Sequence, residues 1–282
     1  MKKHSLIILI PSILVFLIVL TFSLVFSKKE SVYKNAISFE KSGQTEKAWL
    51  LFQKISGFKD SSSHIKNLEE NDFLLPFRLL PKGSVVQFGT FETDGESSNG
   101  KEKLNWIILD RIDDEVLLIS EDILLSRAYN PVPFAEITWE KCDLRSYLNN
   151  DFYENAFSPK EKEVILLTEN QNENQSKVGT FGGKTTFDKI FLLSENESKI
   201  YINDELSEED IGKAYATQAC KNQGIMCDEE ELANWWLRSP GVYGYSAQFI
   251  NQEGSLYVSG ANVDIESYGV RPCLYVSTKK KA

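Results

Sequence analysis

The sequence predicts an α+β globular domain set behind one apolar helix and a short helical stalk. Three observations predict it. An uncharged apolar run opens the chain. Small and aromatic residues at helical spacing follow. Short apolar runs then occupy both ends of the remaining sequence, with helical patterns between them. With 282 residues, 42% of them hydrophobic and 12% aromatic, the chain has material for a packed core plus appendages.

After Lys2, Lys3 and His4, no charge occurs from Ser5 through Ser27, and residues 6–10 and 13–20 are almost purely aliphatic. A bilayer core takes about 20 apolar residues at ~1.5 Å rise each, so residues 5–27 are long enough to span. A cleaved signal carries a shorter apolar region, roughly 7–15 residues, and a small-x-small site. Here the exit reads Leu24-Val25-Phe26-Ser27-Lys28, and no cysteine follows for lipid attachment. The expectation is an uncleaved signal anchor over residues 1–29, a single-pass transmembrane helix with the C-terminal part outside the cytoplasm. Lys28 and Lys29 balance Lys2 and Lys3, so this orientation rests on the short leading tail.

Residues 30–75 read as the stalk. Ala36, Phe39, Gly43, Ala48 and Phe52 follow a small–aromatic–turn–small–aromatic pattern, and Gly43 separates helices near 32–41 and 45–55. A third helix begins at Ser61 and carries Ile65 and Leu68. These positions resemble one tetratricopeptide-type unit. Such units need about three copies to be stable alone, so a packing stalk is expected rather than a peptide binder.

Beyond Pro76 the period changes. Residues 85–91, 104–110 and 116–120 read as strands, separated by a polar loop at 95–103 and the Asp113-Asp114 turn. Residues 139–149 read as a helix with Thr138 as cap. Ser158-Pro159-Lys160-Glu161 is a helix start with a capping hydroxyl, proline at the first turn and a carboxylate three residues on. Residues 190–193 read as a short buried strand. Ser207-Glu208-Glu209-Asp210 opens a helix with Ile211, Ala214, Tyr215 and Ala219 on one face, ended by Gly224. Residues 247–250 and 255–258 flank Asn251-Gln252-Glu253-Gly254 as a hairpin, and 270–276 is the final strand. The domain is expected over 76–278, before a basic tail at 279–282.

Composition excludes several chemistries. With 41 acidic against 31 basic residues, four of the latter flanking the apolar run, the surface repels phosphate backbones, and no nucleic-acid partner is expected. The histidines are His4 and His64, so residues 76–278 hold neither a Ser-His-Asp triad nor a His-ligated metal. Gly179-Thr180-Phe181-Gly182-Gly183 lacks the Lys-Ser/Thr of a phosphate loop. Asp228-Glu229-Glu230-Glu231 lacks calcium-loop spacing and reads as a helix first turn. No metal or cofactor is expected. Cys220 and Cys227 are close enough to close a disulfide loop outside the cytoplasm, whereas Cys142 and Cys273 read equally as buried free thiols.

Candidate site residues gather near Trp235-Trp236-Leu237-Arg238-Ser239-Pro240-Gly241. Adjacent tryptophans on a strand point to opposite faces. Arg238 and Arg271 hold carboxylates bidentately or stack on rings. One reading is structural, two tryptophans and two arginines fixing long loops around a small sheet. The other is a ligand site in which Trp235, Trp236, Arg238, Tyr243, Tyr245, Gln248, Tyr268 and Arg271 give an aromatic platform with polar flanks for a sugar or peptide.

Four clusters occur in order over about residues 84–276. They are Thr138-Trp139 with Cys142, Leu144-Arg145, Leu148-Asn149, Phe152 and Ala156-Phe157; Phe191-Leu192-Leu193-Ser194; the Trp235–Gly241 segment; and Gly269-Val270-Arg271-Pro272. Together they resemble a widespread bacterial extracellular family described only as a domain of unknown function. More remotely, the paired termini, Trp-rich centre and closing Gly-Val-Arg-Pro strand resemble the C-type lectin-like fold of formylglycine-generating, sulfatase-modifying enzymes. Those enzymes use a reactive cysteine pair, for which Cys220 and Cys227 are the local candidates. The resemblance implies a bacterial extracellular domain; with the apolar run at 5–27, the expectation is a bacterial cell-membrane protein carrying an extracytoplasmic binding or interaction module, its ligand a glycan, a peptide or an envelope protein. The alternatives are a sulfatase-modifying-type cysteine enzyme and a purely structural envelope protein.

Overall fold

Gly43, at φ 74°, adopts a left-handed turn that costs glycine no Cβ clash, and it separates helix α1 (His4–Lys41) from α2 (Thr45–Gln53). The computed structural model describes residues 4–202 and 211–279, apart from the side chains of 4–20 and 22. The chain divides between Leu79 and Leu80 into two compact units. Helices α3 (Ser61–Asn71) and α4 (Leu75–Leu79) complete the first. Ala36, Ala48 and Phe52 from the helical pattern are all buried in it. The His64 ring stacks on Phe52 at 4.7 Å and lies 2.8 Å from Glu40, joining α3 to α1 and α2. Among the described residues no helix is long and apolar enough to cross a membrane. The expected anchor at 5–27 falls mostly on side chains outside that description.

The second unit is α+β. Its strands are β1 (Val85–Phe91), β2 (Glu102–Ile112), β3 (Glu115–Ser120), β4 (Leu125–Ser126), β5 (Thr168–Asn170) and β6 (Thr186–Asp188). Then come β7 (Trp235–Pro240), β8 (Ser246–Ile250), β9 (Leu256–Asn262), β10 (Gly269–Val270) and β11 (Cys273–Ser277). Between them lie the short helices α5 (Asp143–Tyr147), α6 (Tyr153–Ala156), α7 (Pro159–Lys162), α8 (Glu195–Tyr201) and α9 (Gln218–Asn222).

One sheet has the order β1-β2-β3-β11, the second β4-β10-β7-β8-β9, and β5-β6 form a small ribbon. Residues 116–119 of β3 are buried on both faces, as an interior strand requires, with Ile107↔Ile119 and Leu118↔Leu274 in register. Residues 270–276 are not one strand. β10 pairs with β4 and β7, and β11 pairs with β3. Pro272 has no N–H to extend either ladder, so the chain changes sheets at Arg271-Pro272.

Other expected elements differ as well. The helix at 139–149 is a 3-10 turn (Trp139–Lys141), a restart at α5 and a π turn (Leu148–Phe152). The restart occurs because Cys142 is extended and its Sγ accepts from Arg145 N at 3.4 Å. Residues 203–210, the expected helix start, lie outside the described residues. Ile211, Ala214 and Tyr215 do not share a helical face with Ala219, because their stretch uses its carbonyls elsewhere. Ile211 O accepts from Arg271, Gly212 O from the Trp235 indole and Ala214 O from Ala233 N. Only α9 is helical there, capped by Thr217 and stopped at Gly224, φ 91°. Asp228–Glu231 is a turn rather than a helix start, with Asp228 Oδ1 accepting from Glu230 N and Leu232 N at 3.0 and 2.8 Å.

The strand at 190–193 shrinks to one bridge, Phe191↔Cys273. Ser194 then opens α8 with a full capping box, Glu197 N to Ser194 Oγ 3.2 Å and Ser194 N to Glu197 Oε2 2.7 Å. The capping box at Ser158–Glu161 forms as its sequence specifies. The 251–254 turn joins β8 to β9 with Gly254 at φ 83°.

Candidate functional site

The tryptophan pair lies inside the domain. Both Trp235 and Trp236 are 0% exposed, because β7 is an interior strand covered on both faces. The Trp235 indole donates to Gly212 O at 2.9 Å, and the Arg271 guanidinium lies 5.1 Å from its ring centre. The Trp236 indole donates to Arg127 O at 3.0 Å, and its ring packs against Tyr268 at 4.7 Å. Arg271 is buried and donates to Ser120 O and Ile211 O at 2.9 and 2.5 Å. Burial pulls it down to about 10, against the opposing effects of Cys273, Asp122 and Glu121.

Arg238 is buried too, donating to Leu192 O and pairing with Glu197. Gln248 is buried and donates to Glu195 Oε2 at 2.8 Å. Tyr268 is half-buried between Trp236 and Phe249. Trp235, Trp236, Arg238, Gln248, Tyr268 and Arg271 therefore tie β7 to its surroundings and do not form a ligand platform.

Glu195, 5% exposed, belongs to the same network. Burial raises its carboxyl, but hydrogen bonds from Gln248, Lys199 and Ser176 outweigh it and hold the group at about 2. A folded-state value below the unfolded one gives stability that is complete above about pH 4.5 and is lost as pH falls towards 2. Urea unfolding from pH 6 to 3 should show this loss, with a full contribution of roughly 3 kcal/mol. Glu195→Gln should flatten the acid limb. An unchanged acid limb in the variant would contradict the assignment.

A second buried carboxylate, Asp188, fixes the first motif. It accepts from Arg145 Nε (2.6 Å), Thr186 Oγ1 (2.7 Å), the Trp139 indole (3.0 Å) and Asn170 Nδ2 (3.0 Å). Asn149 completes the clamp, its Oδ1 accepting from Lys189 N at 2.8 Å and its Nδ2 donating to Ile190 O at 2.8 Å. Sequence reasoning picked out Trp139, Arg145 and Asn149 but missed Asp188, which one surface-like Asp among many does not advertise.

All four cysteines are free thiols. The expected Cys220–Cys227 disulfide is not formed. Cys220 is buried, with Sγ turned to Ile123 O at 3.3 Å, while Cys227 bridges to Ala233 on a half-buried loop. Burial pushes Cys220 up to about 11 and Cys142 to about 12, and it raises Cys273 as well. None of these three is a thiolate at neutral pH.

The exposed aromatic residues lie elsewhere. Three loops meet around a cleft of about 380 Å³ lined by Glu136, Ile137, Thr138, Glu140, Lys141, Thr180, Phe181 and Gly244. One loop precedes the 3-10 turn, one joins β5 to β6, and one joins β7 to β8. Ile137 N donates to Gly244 O and Thr180 Oγ1 to Val242 O, each at 2.9 Å, so the loops are stitched together. Tyr243 is 58% exposed and its ring stacks on that of Tyr245 at 5.1 Å and 5°. Phe134 meets Tyr245 edge-on at 5.5 Å. Phe134 is 66% exposed and has φ 54°, an unfavourable conformation for a bulky residue, so the loop holds this ring outward at a cost in backbone strain.

Tyr243 and Tyr245 were expected on a platform with Trp235 and Trp236, whereas the structure sets them beside Phe134; neither Phe134 nor Phe181 was among the expected site residues. The available signals were the Pro131-Val132-Pro133-Phe134 run and the glycines around Phe181. Gly182 is one of them, since a Cβ there would lie 2.1 Å from Glu173 O. Gly182→Ala should therefore move the Phe181 loop and cost about 1–3 kcal/mol, read as a lower melting temperature. An unshifted melting temperature would show that the loop yields freely.

Glu92, Asp94 and Glu102 hold carboxylate oxygens within 4.8 Å of one another. Each accepts from its own loop, Glu92 from Gly95 N, Asp94 from Glu96 N and Glu102 from Thr93 N, so the group works as a loop staple.

Fold and surface together define an α+β domain with a buried Trp-Arg centre and an aromatic cleft built by three loops. Residues 113–278, more than half of the chain, match the family described as Domain of unknown function (DUF6273), and the chain belongs to that family. The match begins after β2, although β1 and β2 complete the same sheet. No curated protein and no solved structure matches the chain.

Proposed function

We propose that the protein is a membrane-anchored, extracytoplasmic binding module of a bacterial envelope, with its ligand site at the three-loop cleft. The observation that carries this reading is the exposed ring of Tyr243 stacked on half-buried Tyr245, with exposed Phe134 edge-on to Tyr245. Clustered apolar rings left in water, next to a concave surface with a few polar groups, are what ligand sites are made of. In this reading residues 5–27 are the anchor and the first unit is a tetratricopeptide-like stalk, supported by the burial of Ala36, Ala48 and Phe52 across the Gly43 turn. The second unit is C-type lectin-like, supported by first and last strands in one sheet and a Trp-rich strand in the other. The buried, protonated thiols of Cys142, Cys220 and Cys273 favour a binding module over a cysteine enzyme.

Spheroplasts expressing the full chain test the placement. Added protease should digest the second unit while the anchor stays with alkali-washed membranes. A second unit protected until lysis would overturn the extracytoplasmic placement.

A further inference from the structure

We infer that the cleft binds a glycan whose sugars are neutral or carry amino groups, an inference that rests on the binding-module reading and names its ligand class. Three observations converge on it. First, the platform suits a pyranose. A sugar ring presents a face of C–H groups carrying slight positive charge, and an open aromatic face is negative, so the two stack. Tyr243, exposed and braced from behind by Tyr245, offers such a face, already set before ligand arrives.

Second, the cleft beside the platform sets polar groups that hydroxyls can use among the apolar surface of Ile137 and Phe181. Glu136 and Glu140 bring carboxylate acceptors, Thr138 a hydroxyl, and Lys141 an ammonium donor. Thr180 donates its proton to Val242 O and so presents its oxygen as an acceptor. A lining of mixed donors and acceptors beside exposed rings suits a polyhydroxylated ligand better than the apolar side chains of a protein partner.

Third, charge selects among glycans. The lining carries two carboxylates against one ammonium, on a chain of net charge −10. Uronate or phosphate polymers are repelled, neutral sugars are accepted, and an amino sugar gains from Glu136, Glu140 and the faces of the exposed rings.

The test is isothermal titration of the full-length protein in detergent. The probes are glucosamine hexamer, N-acetylglucosamine hexamer, galacturonate hexamer and a Lys/Tyr-rich peptide. One or both hexosamine oligomers should bind and galacturonate should not. Tyr243→Ala should weaken binding about tenfold, with an unchanged melting temperature. Glu136→Gln should weaken the amino form more than the N-acetyl form. Failure of both hexosamine oligomers to bind, equal binding of galacturonate, or indifference to Tyr243→Ala would each overturn the inference. Peptide binding that depends on Tyr243, without sugar binding, would overturn the glycan assignment and leave the binding module standing.

Discussion

Asp188→Ala should lower the unfolding free energy by about 3–5 kcal/mol, measured by urea denaturation of the full chain. The carboxylate is fully buried and takes hydrogen bonds from four side chains. Its removal leaves the Trp139 indole and Asn170 amide without an acceptor in the core, and each such group costs about 1–3 kcal/mol. Arg145, only partly exposed, loses the counter-charge that its Nε reaches at 2.6 Å. Asp188→Asn should be milder yet still damaging, because its single carbonyl oxygen cannot serve both Arg145 on one side and the Trp139, Asn170 and Thr186 donors on the other. A loss below about 1 kcal/mol for the alanine variant would mean that Asp188 does not hold the motif together.

Trp235→Ala and Trp236→Ala should each cost about 3–5 kcal/mol, the range for deleting a large buried aromatic. Trp235 gives up its bond to Gly212 O and uncovers Arg271, which has lost solvation and has few other partners. Trp236 gives up its bond to Arg127 O and its contacts with Tyr129 and Tyr268. Tyr243→Ala, one strand end away, should change stability by less than about 0.5 kcal/mol, because an exposed ring has little burial to lose. Equal costs at Trp236 and Tyr243 would contradict the division between core and binding surface.

Local signals in the sequence specify local structure. Gly43, the Ser158–Glu161 capping box, the β1 boundaries and the Gly254 hairpin each depend on residues within a few positions of one another. The Ser194–Glu197 box has the same spacing and was masked by the apolar run before it. What local reading could not supply was long-range competition. The apolar spacing of Ile211, Ala214, Tyr215 and Ala219 suits a helix, but Arg271 and Trp235, far along the chain, claim the carbonyls a helix would use.

The tryptophan pair shows the same limit. Alternation on a strand sends one ring to each face, and whether either face meets water depends on sheet order. Here β7 lies between β10 and β8 and both rings are enclosed. Tyr243 and Tyr245 were legible as aromatics near polar groups. Phe134 joins them only through the meeting of separate loops, and the net acidity of the chain was the one hint in composition to the charge of the cleft.

The central claim is that Trp235, Trp236, Arg238 and Arg271 build the core while the three-loop aromatic cleft meets the ligand. Hydroxyl-radical footprinting of the full chain, read residue by residue by mass spectrometry, tests it most directly. The account predicts rapid oxidation of Tyr243 and Phe134, protection of Trp235 and Trp236, and slowing of Tyr243 alone among these when a hexosamine oligomer is added. Rapid oxidation of Trp235 or Trp236 with Tyr243 protected would contradict it.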